Sequence, residues 1–177
     1  MLKIATGMIC AGLLALAGCS NTRSPSARDS VRRSLDQAGL KDVSVSEDRD
    51  KGVLSLGGHV ATDEDKARAA SIAKSNAGGE VVANEIAVLP PNQESTAKTV
   101  NSDLDGAIRK NLDAVLVENH LNKSVKFSVK NGVVKLTGKV DSQSTRSRAE
   151  QIATNVPDVK QVVNELRVKY QRATSSR

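Results

Sequence analysis

Residues 131–140 read NGVVKLTGKV, and this stretch decides the fold because a second version, KGVLSLGGHV, occupies residues 51–60. In each version a turn signal that contains glycine leads into a run of strand-forming residues, and the Asn-Gly pair of the later one is typical of a tight hairpin. Gly132 minus Gly52 gives a spacing of 80 residues. The chain therefore contains two related strands in equivalent places.

The same spacing extends beyond this strand. It carries Ile72-Ala73 onto Ile152-Ala153, and residues 82–86 (VANEI) onto residues 162–166 (VVNEL). Since the repeat covers a helix and two strands, it indicates a tandem duplication. Each copy, at about 70 residues, is long enough to close its own small core, so two domains are predicted and not a solenoid.

Composition sets limits on both copies. The chain has 177 residues, of which 38% are hydrophobic, and Phe127 and Tyr170 are its only aromatic residues. The cores must therefore be aliphatic, and each domain should be only modestly stable. The formal net charge of +6 indicates acidic partners without identifying them.

Helix and strand signals follow the same order in each copy. Ser26, Thr62 and Ser102 read as helix N-caps, each with an aspartate three residues later, and alternating apolar residues mark the strands. The hairpin makes the first two strands antiparallel, and the crossover helix makes the last two parallel. The predicted fold class is α+β: two αββαβ units, each a three-stranded mixed sheet with two helices on one face. The other face meets solvent or a partner.

The predicted boundaries follow from these signals. Residues 26–90 and 99–170 form the two domains, joined by a Pro-containing linker at 91–98 and followed by a polar tail at 171–177. Residues 1–18 read as a signal peptide, with a short positive start and an apolar run too short to span a bilayer. Residues 19–25 are a polar tether.

The signal peptide ends in Leu-Ala-Gly before Cys19, which resembles the lipobox of bacterial lipoproteins. The resemblance implies that Cys19 is acylated, and because Ser20 and not aspartate follows it, that the protein is exported to the outer membrane and faces the periplasm. Cys10 lies in the removed segment, so acylation also explains an otherwise unpaired thiol. The alternative is an ordinary signal peptide whose cleavage site happens to contain cysteine.

The second copy, with NGVVKLTGKV at 131–140, AEQIA at 149–153 and VKQVVNEL at 159–166, resembles the BON domain family (bacterial OsmY and nodulation). The first copy departs from it at Asp50-Lys51, at Gly57 and at Gly78-Gly79. The resemblance implies an exported, often tandem, non-catalytic protein that acts at envelope membranes, with phospholipid contact proposed for some members.

The charge is divided unequally. Residues 26–90 hold 9 Lys+Arg and 11 Asp+Glu, a net −2, whereas residues 97–170 hold 13 and 8, a net +5. Strand alternation places five cations of the second copy on the face away from the helices; they are Lys126, Lys130, Lys135, Lys139 and Arg167. At a spacing of 80 their first-copy equivalents are Ser46, Asp50, Ser55, His59 and Ala87.

These five cations are the predicted phospholipid-binding residues, because each Lys or Arg near an anionic surface contributes up to about 1 kcal/mol. The alternative is a charged face that only keeps the protein soluble. Nucleic acid is a weaker candidate partner, since Phe127 falls on the core side of its strand and leaves no aromatic platform. A protein-interaction adaptor at the envelope, without lipid binding, is the main competing function.

Catalysis is not predicted. His59 and His120 are the only histidines, no ligand spacing for a metal is present, and no nucleophile motif or phosphate-binding glycine loop occurs. No cofactor is expected. The repeated Asn84-Glu85 and Asn164-Glu165 pairs are interpreted as structural hydrogen bonds to a turn, although a carboxylate site is conceivable.

Two further features leave alternatives open. Gly58 and Gly138 suggest a helix packed closely over the strand, or close approach of a ligand. The apolar residues around Leu116, Val117 and Leu121 exceed what one helical stripe needs, so they form either extra core or a lipid- or protein-facing patch.

Overall fold

The computed structural model describes residues 26–169. The predicted signal peptide, the tether with Cys19 and the tail lie outside these residues. Unit one comprises α1 (Ala27–Gln37), β1 (Val43–Asp48), β2 (Val53–Val60), α2 (Asp63–Asn76), β3 (Val81–Asn84) and β4 (Ala87–Val88). Unit two comprises α3 (Glu94–Glu118), β5 (Val125–Lys130), β6 (Val133–Val140), α4 (Gln143–Thr154), β7 (Gln161–Asn164) and β8 (Arg167–Val168).

The predicted α+β class and the repeated αββαβ plan are confirmed. β2 pairs antiparallel with β1 and parallel with β3, and β6 does the same with β5 and β7. The predicted third strand, however, is broken. Its last two residues, β4 in unit one and β8 in unit two, pair with the end of β2 or β6 after an interruption at Glu85-Ile86 or Glu165-Leu166.

Local capping chemistry explains where three of the helices begin. The Ser26 hydroxyl accepts a hydrogen bond from Asp29 N at 3.2 Å, and the Thr62 hydroxyl accepts one from Asp65 N at 3.1 Å, as predicted. Ser142 caps α4 in the same way through Thr145 N. Each of these side chains satisfies a backbone donor that the first helical turn leaves free.

The predicted N-cap at Ser102 is wrong. Helix α3 begins eight residues earlier, at Glu94, and residues 94–98 of the predicted linker are its first turn. Nothing in residues 94–101 breaks a helix, so the turn of helix nucleated after Asn92 continues through Ser102. Asp105 is consequently a mid-helix residue, and it is buried.

Each sheet packs its helix-facing side on its own two helices. The core of unit one centres on Val31 and Leu35 of α1 with Leu54 and Leu56 of β2, and that of unit two on the equivalent α3 and β6 positions. Leu116 and Leu121 belong to the second core, which confirms extra core as the role of those two residues. Val117 instead lies on the surface, 49% exposed.

The two hairpins differ in length. In unit one Asp48 pairs with Val53, which leaves a four-residue connection, whereas in unit two Lys130 pairs with Val133 and leaves only Asn131-Gly132. Both of these residues have positive φ, 50° and 80°, as the predicted tight turn requires. The first strands are therefore related by a spacing of 82 residues and not 80.

This shift corrects two predicted equivalences. Lys126 corresponds to Ser44 and not Ser46. Lys126 pairs with Thr137 and Ser44 pairs with Gly57, and these two partners are 80 residues apart in the repeated second strand. Lys130 corresponds to Asp48 and not Asp50. Positions on β2 and β6 keep the spacing of 80.

Gly58 and Gly138 serve a purpose other than the one predicted. They have φ values of 82° and 125°, and a Cβ atom on either would collide with a backbone carbonyl, that of Asp42 or Ser124. The close neighbour is thus the chain entering the first strand, and not a helix over the sheet. A side chain at either position would push the edge of the hairpin apart.

The faces that the helices leave open pack on each other. Val53 and Ala83 of unit one meet Val133 and Val163 of unit two in a separate small core, in which all four are at most 4% exposed. Val53 and Val133 are equivalent residues at a spacing of 80, as are Ala83 and Val163, and each pair contributes to the cluster from both units. This is the arrangement of a pseudo-two-fold interface. The predicted open face of each sheet is therefore covered at its centre by the other unit.

Candidate functional site

The five predicted cations do share one face. In the register of unit two Lys126 lies opposite Thr137, Lys130 opposite Val133, and Lys139 opposite Arg167. Lys135 alternates with the core residues Val134 and Leu136 and therefore points the same way. The strand pattern predicted this placement correctly, but the sheet-to-sheet contact divides the five residues into two groups.

Lys135 and Lys130 belong to the contact between the units. Lys135, whose side chain is 22% exposed, forms an ion pair with Glu85 and donates a hydrogen bond to the Ser55 hydroxyl at 2.9 Å. Lys130 reaches the second Glu85 oxygen at 3.4 Å but remains 59% exposed. Glu85 is 9% exposed, so unit one supplies a nearly buried carboxylate to neutralise these lysines.

A related ion pair lies on the other side of the pseudo-two-fold. Lys51 contacts Glu165 at 2.9 Å and Asp48, also at 2.9 Å. The hydrogen bonds to Glu165 and Asp48 raise the pKa of Lys51. The hydrogen bond from Lys51 lowers the pKa of Asp48, and Arg167 of unit two lies near enough to lower it further.

Polar side chains complete the contact by bonding to backbone groups. Gln161 donates to Val82 O at 2.7 Å and accepts from Asn84 N at 3.1 Å, so its carboxamide pairs with the free edge of β3. Asn131 donates to Glu85 O at 2.7 Å. These bonds satisfy edge groups that would otherwise need water, and they fix how the units meet.

The remaining three cations stay accessible. Lys126, Lys139 and Arg167 are exposed, and within residues 26–169 none of them forms a salt bridge. Lys139 and Arg167 are neighbours on β6 and β8. The exposed cationic group therefore consists of these three residues, which lie beside the covered centre of the sheet.

The repeated Asn-Glu pairs have two separate roles. Asn84 and Asn164 sit where the third strand breaks, and each side-chain oxygen accepts a hydrogen bond from the backbone two residues on, at 3.4 and 3.2 Å. Their amide groups donate to Lys66 O and Arg146 O on the crossover helices. The asparagine contacts match the predicted structural hydrogen bonds. The glutamates Glu85 and Glu165 instead form ion pairs with the other unit.

Sequence reasoning missed the buried carboxylate of Asp105. It accepts hydrogen bonds from Asn131 N at 2.8 Å and Gly132 N at 2.9 Å, so helix α3 holds the tight turn of unit two. A clue was present, because Asp105 precedes Ile108 and Leu112 on the buried stripe of the helix. An acid on that stripe needs a donor.

Unit one contains a pair of neighbouring carboxyl groups, Glu47 and Glu80. Burial raises the pKa of Glu80, and the adjacent Glu47 raises it further. Burial acts in the same direction on Glu47, but hydrogen bonds from Arg28 N at 3.2 Å and from Arg49 at 2.8 Å lower its pKa overall. One Glu80 oxygen is buried and has no hydrogen-bond partner among residues 26–169. The two neighbouring carboxyl groups therefore have pKa values shifted in opposite directions, that of Glu80 upward and that of Glu47 downward.

No group of three or more potential metal-binding side chains occurs in the described part of the chain. His59 and His120 are surface residues. Among the helices formed by residues 26–169, none combines the length and apolar character that crossing a bilayer would need. Helix α3 does expose apolar side chains, with Val100 at 50% and Leu104 at 37%.

Comparison with known proteins assigns this architecture to a family. The profile of the BON domain matches residues 25–90 and 104–170, which together are three quarters of the chain. The chain therefore belongs to the BON domain family and carries two copies in tandem, so the predicted family is confirmed.

Among individual proteins, the chain is similar to the Osmotically-inducible protein Y of Escherichia coli (strain K12). The identity is 31% over 137 residues, which are 76% of this chain and 67% of that protein. Two solved structures of CdsD, a structural protein of the type III secretion system of Chlamydia trachomatis, align with 79% of this chain and 90% or 96% of theirs. Their identities are 16% and 14% and their TM-scores 0.36 and 0.34, values too low to inform function.

Proposed function

We propose that the protein is a non-enzymatic envelope lipoprotein that binds anionic phospholipid through the exposed cationic group of unit two. The observation that carries the proposal is that Lys126, Lys139 and Arg167 are exposed and form no salt bridge within residues 26–169, while Lys130 and Lys135 are engaged by Glu85. A lipid phosphate would supply Lys126, Lys139 and Arg167 with the ion-pair partner that Glu85 gives to Lys130 and Lys135.

Membrane proximity strengthens this interaction. Acylation at Cys19, predicted from the lipobox, would tether both units to the inner leaflet of the outer membrane, facing the periplasm, because two or more acyl chains make a lasting anchor. Three weak electrostatic contacts then act at high local concentration. The similarity to an osmotically inducible protein supports expression under osmotic or envelope stress.

Vesicle co-sedimentation tests the proposal. The K126Q/K139Q/R167Q variant should bind vesicles of phosphatidylcholine with phosphatidylglycerol roughly a hundredfold more weakly, since up to about 1 kcal/mol is lost with each cation. The matched control, R33Q/K41Q/R68Q, removes the same charge from exposed positions of unit one and should bind normally. Equal binding by both variants would refute the proposal. Lys135 is left unchanged because its loss would also disturb the contact between units.

The second candidate is a protein-interaction adaptor. Val100 and Leu104, the exposed apolar residues near the start of α3, favour it, because an unpartnered apolar surface suits a protein partner. Under this function a V100S/L104S variant would lose a partner captured by cross-linking in intact cells, while vesicle binding stays unchanged. Under the lipid function the K126Q/K139Q/R167Q variant is the one that fails.

A further inference from the structure

A cleft between the units lies apart from the exposed cationic group. Its walls come from α2 and β3 of unit one and from β6 and the start of β7 in unit two, and its volume is about 350 Å³. Lys66 and Lys74 stand on one wall, at a helical spacing of two turns, and Lys160 stands on the other. Val82 and Val133 give it an apolar floor.

The described residues that line the cleft include three lysines and no carboxylate. None of the three lysines forms a salt bridge anywhere in the described range, 26–169. Burial lowers the pKa of Lys66, and the ammonium group of Lys160 lowers it further, against a small opposing effect of Asp63. The positive charge of Lys66 is thus destabilised by burial and by repulsion from Lys160, and a bound anion would offset both effects.

The carboxamides that line the cleft are already committed. Gln161 bonds to the edge of β3, and Asn84 bonds to Lys66 O and Ile86 N. They hold the walls in place, while the ammonium groups keep their donors available. The volume of the cleft lies in the range of small-ligand sites. Three flexible ammonium groups around it suit a tetrahedral oxyanion, whose several lone pairs can accept a hydrogen bond from each.

We propose that this cleft binds a phosphate ester, held from two sides by the ammonium groups of Lys66, Lys74 and Lys160. The ligand would contact both units at once and stabilise their contact. The cleft contains none of the residues of the exposed cationic group, so it is a separate site. The phosphate belongs either to a soluble ester or to a phospholipid headgroup, and the experiment distinguishes the two sources.

The first arm titrates the chain with glycerol 3-phosphate at 150 mM salt and follows backbone amide resonances by NMR. Saturable shifts are expected in residues 63–76 and 159–161, with glycerol as the neutral control. K66Q and K160Q should each weaken binding about tenfold, the effect of one charged hydrogen bond. K66R/K160R should bind nearly as well as wild type, and K98Q, on the exposed start of α3, should bind normally.

The second arm measures binding of the same variants to phosphatidylglycerol vesicles. If K66Q/K160Q loses glycerol 3-phosphate but keeps vesicle binding, the ligand is a soluble ester; if it loses both, the ligand is the headgroup. The proposal is overturned if glycerol 3-phosphate produces no saturable shifts, or if K66Q/K160Q binds both ligands as wild type does. K126Q/K139Q/R167Q, tested alongside, reports separately on the proposed membrane contact.

Discussion

The open faces of the two units have the same place in a duplicated module but differ in charge. Where unit two has Lys135, unit one has Ser55, and these equivalent residues contact each other across the pseudo-two-fold. Lysine at both positions would bring two ammonium groups together. The contrast shows that part of the unequal charge of the two copies joins them, because Lys130 and Lys135 of unit two meet Glu85 of unit one across the contact.

The largest effect is expected from a charge placed in the small core between the two sheets. Val163→Asp should cost about 3–5 kcal/mol, the usual cost of an uncompensated buried charge. The helix-side cores do not include Val163, so both units should stay folded but separate. Small-angle X-ray scattering would show an increased radius of gyration, with helix content unchanged by circular dichroism.

The control is Val81→Asp on the neighbouring strand β3, where the side chain is 51% exposed. It should leave the scattering curve unchanged. A compact Val163→Asp variant would mean that the sheet faces do not hold the units together.

The hairpins offer a second contrast, since only the tight turn of unit two is held by a helix. Asp105→Ala leaves two backbone amides, those of Asn131 and Gly132, without acceptors, and should cost about 2–3 kcal/mol. Urea unfolding measures the loss. Asp113→Ala, an exposed change on the same helix, should alter stability far less, and equal effects would contradict this role for Asp105.

Glu85 and Glu165 are equivalent residues with unequal partners. Glu85→Gln leaves Lys135, 22% exposed, without its counter-ion and should cost about 1–2 kcal/mol. Glu165→Gln should cost less than about 1 kcal/mol, because Lys51 is 34% exposed and keeps Asp48. Parallel urea titrations at pH 7 compare them, and a larger effect at Glu165 would reverse the assignment of the main ion pair.

The smallest expected effect concerns the carboxyl pair of unit one, for which unit two has Val129 and Lys160 in the equivalent places. Because the pKa of Glu80 is raised above its ordinary value of 4.5 in the folded state, its contribution to stability is complete below that pH. The contribution is lost as pH rises through the folded pKa. Glu80→Gln should therefore be more stable than wild type at pH 7 and equal to it near pH 4.

Thermal unfolding monitored from pH 4 to pH 8 would reveal this convergence. Asp113→Asn, which removes an exposed carboxylate, should follow the wild-type pH profile. A constant difference between Glu80→Gln and wild type at all pH values would show that burial of the charge is not its cause.

Local signals predicted most of the fold. The N-caps at Ser26 and Thr62 and the Asn131-Gly132 turn depend on neighbouring residues, so the sequence displays them directly. The start of α3 was predicted too late in the chain. A capping motif is compatible with a helix start but does not require one, and the residues before Ser102 also favour helix.

The contact between the units was not predicted, because it depends on residues far apart in the chain. By strand alternation Val53 lies on the same face as Ser55, and Val133 on the same face as Lys135. Apolar residues at equivalent places on both open faces indicate that these faces are covered. That pair, with Ala83 and Val163, was the available signal. The five cations were assigned correctly to one face, but only the partner sheet decides which of them are neutralised.

The short connection between β4 and α3, residues 89–93 with two consecutive prolines, has a consequence for assembly. It keeps the two complementary faces at a high effective concentration, so even weak docking stays closed within one molecule. The same complementarity exists between different molecules. At high protein concentration unit one of one chain therefore has a matching site on unit two of another, and reciprocal exchange would build a dimer without any new contact.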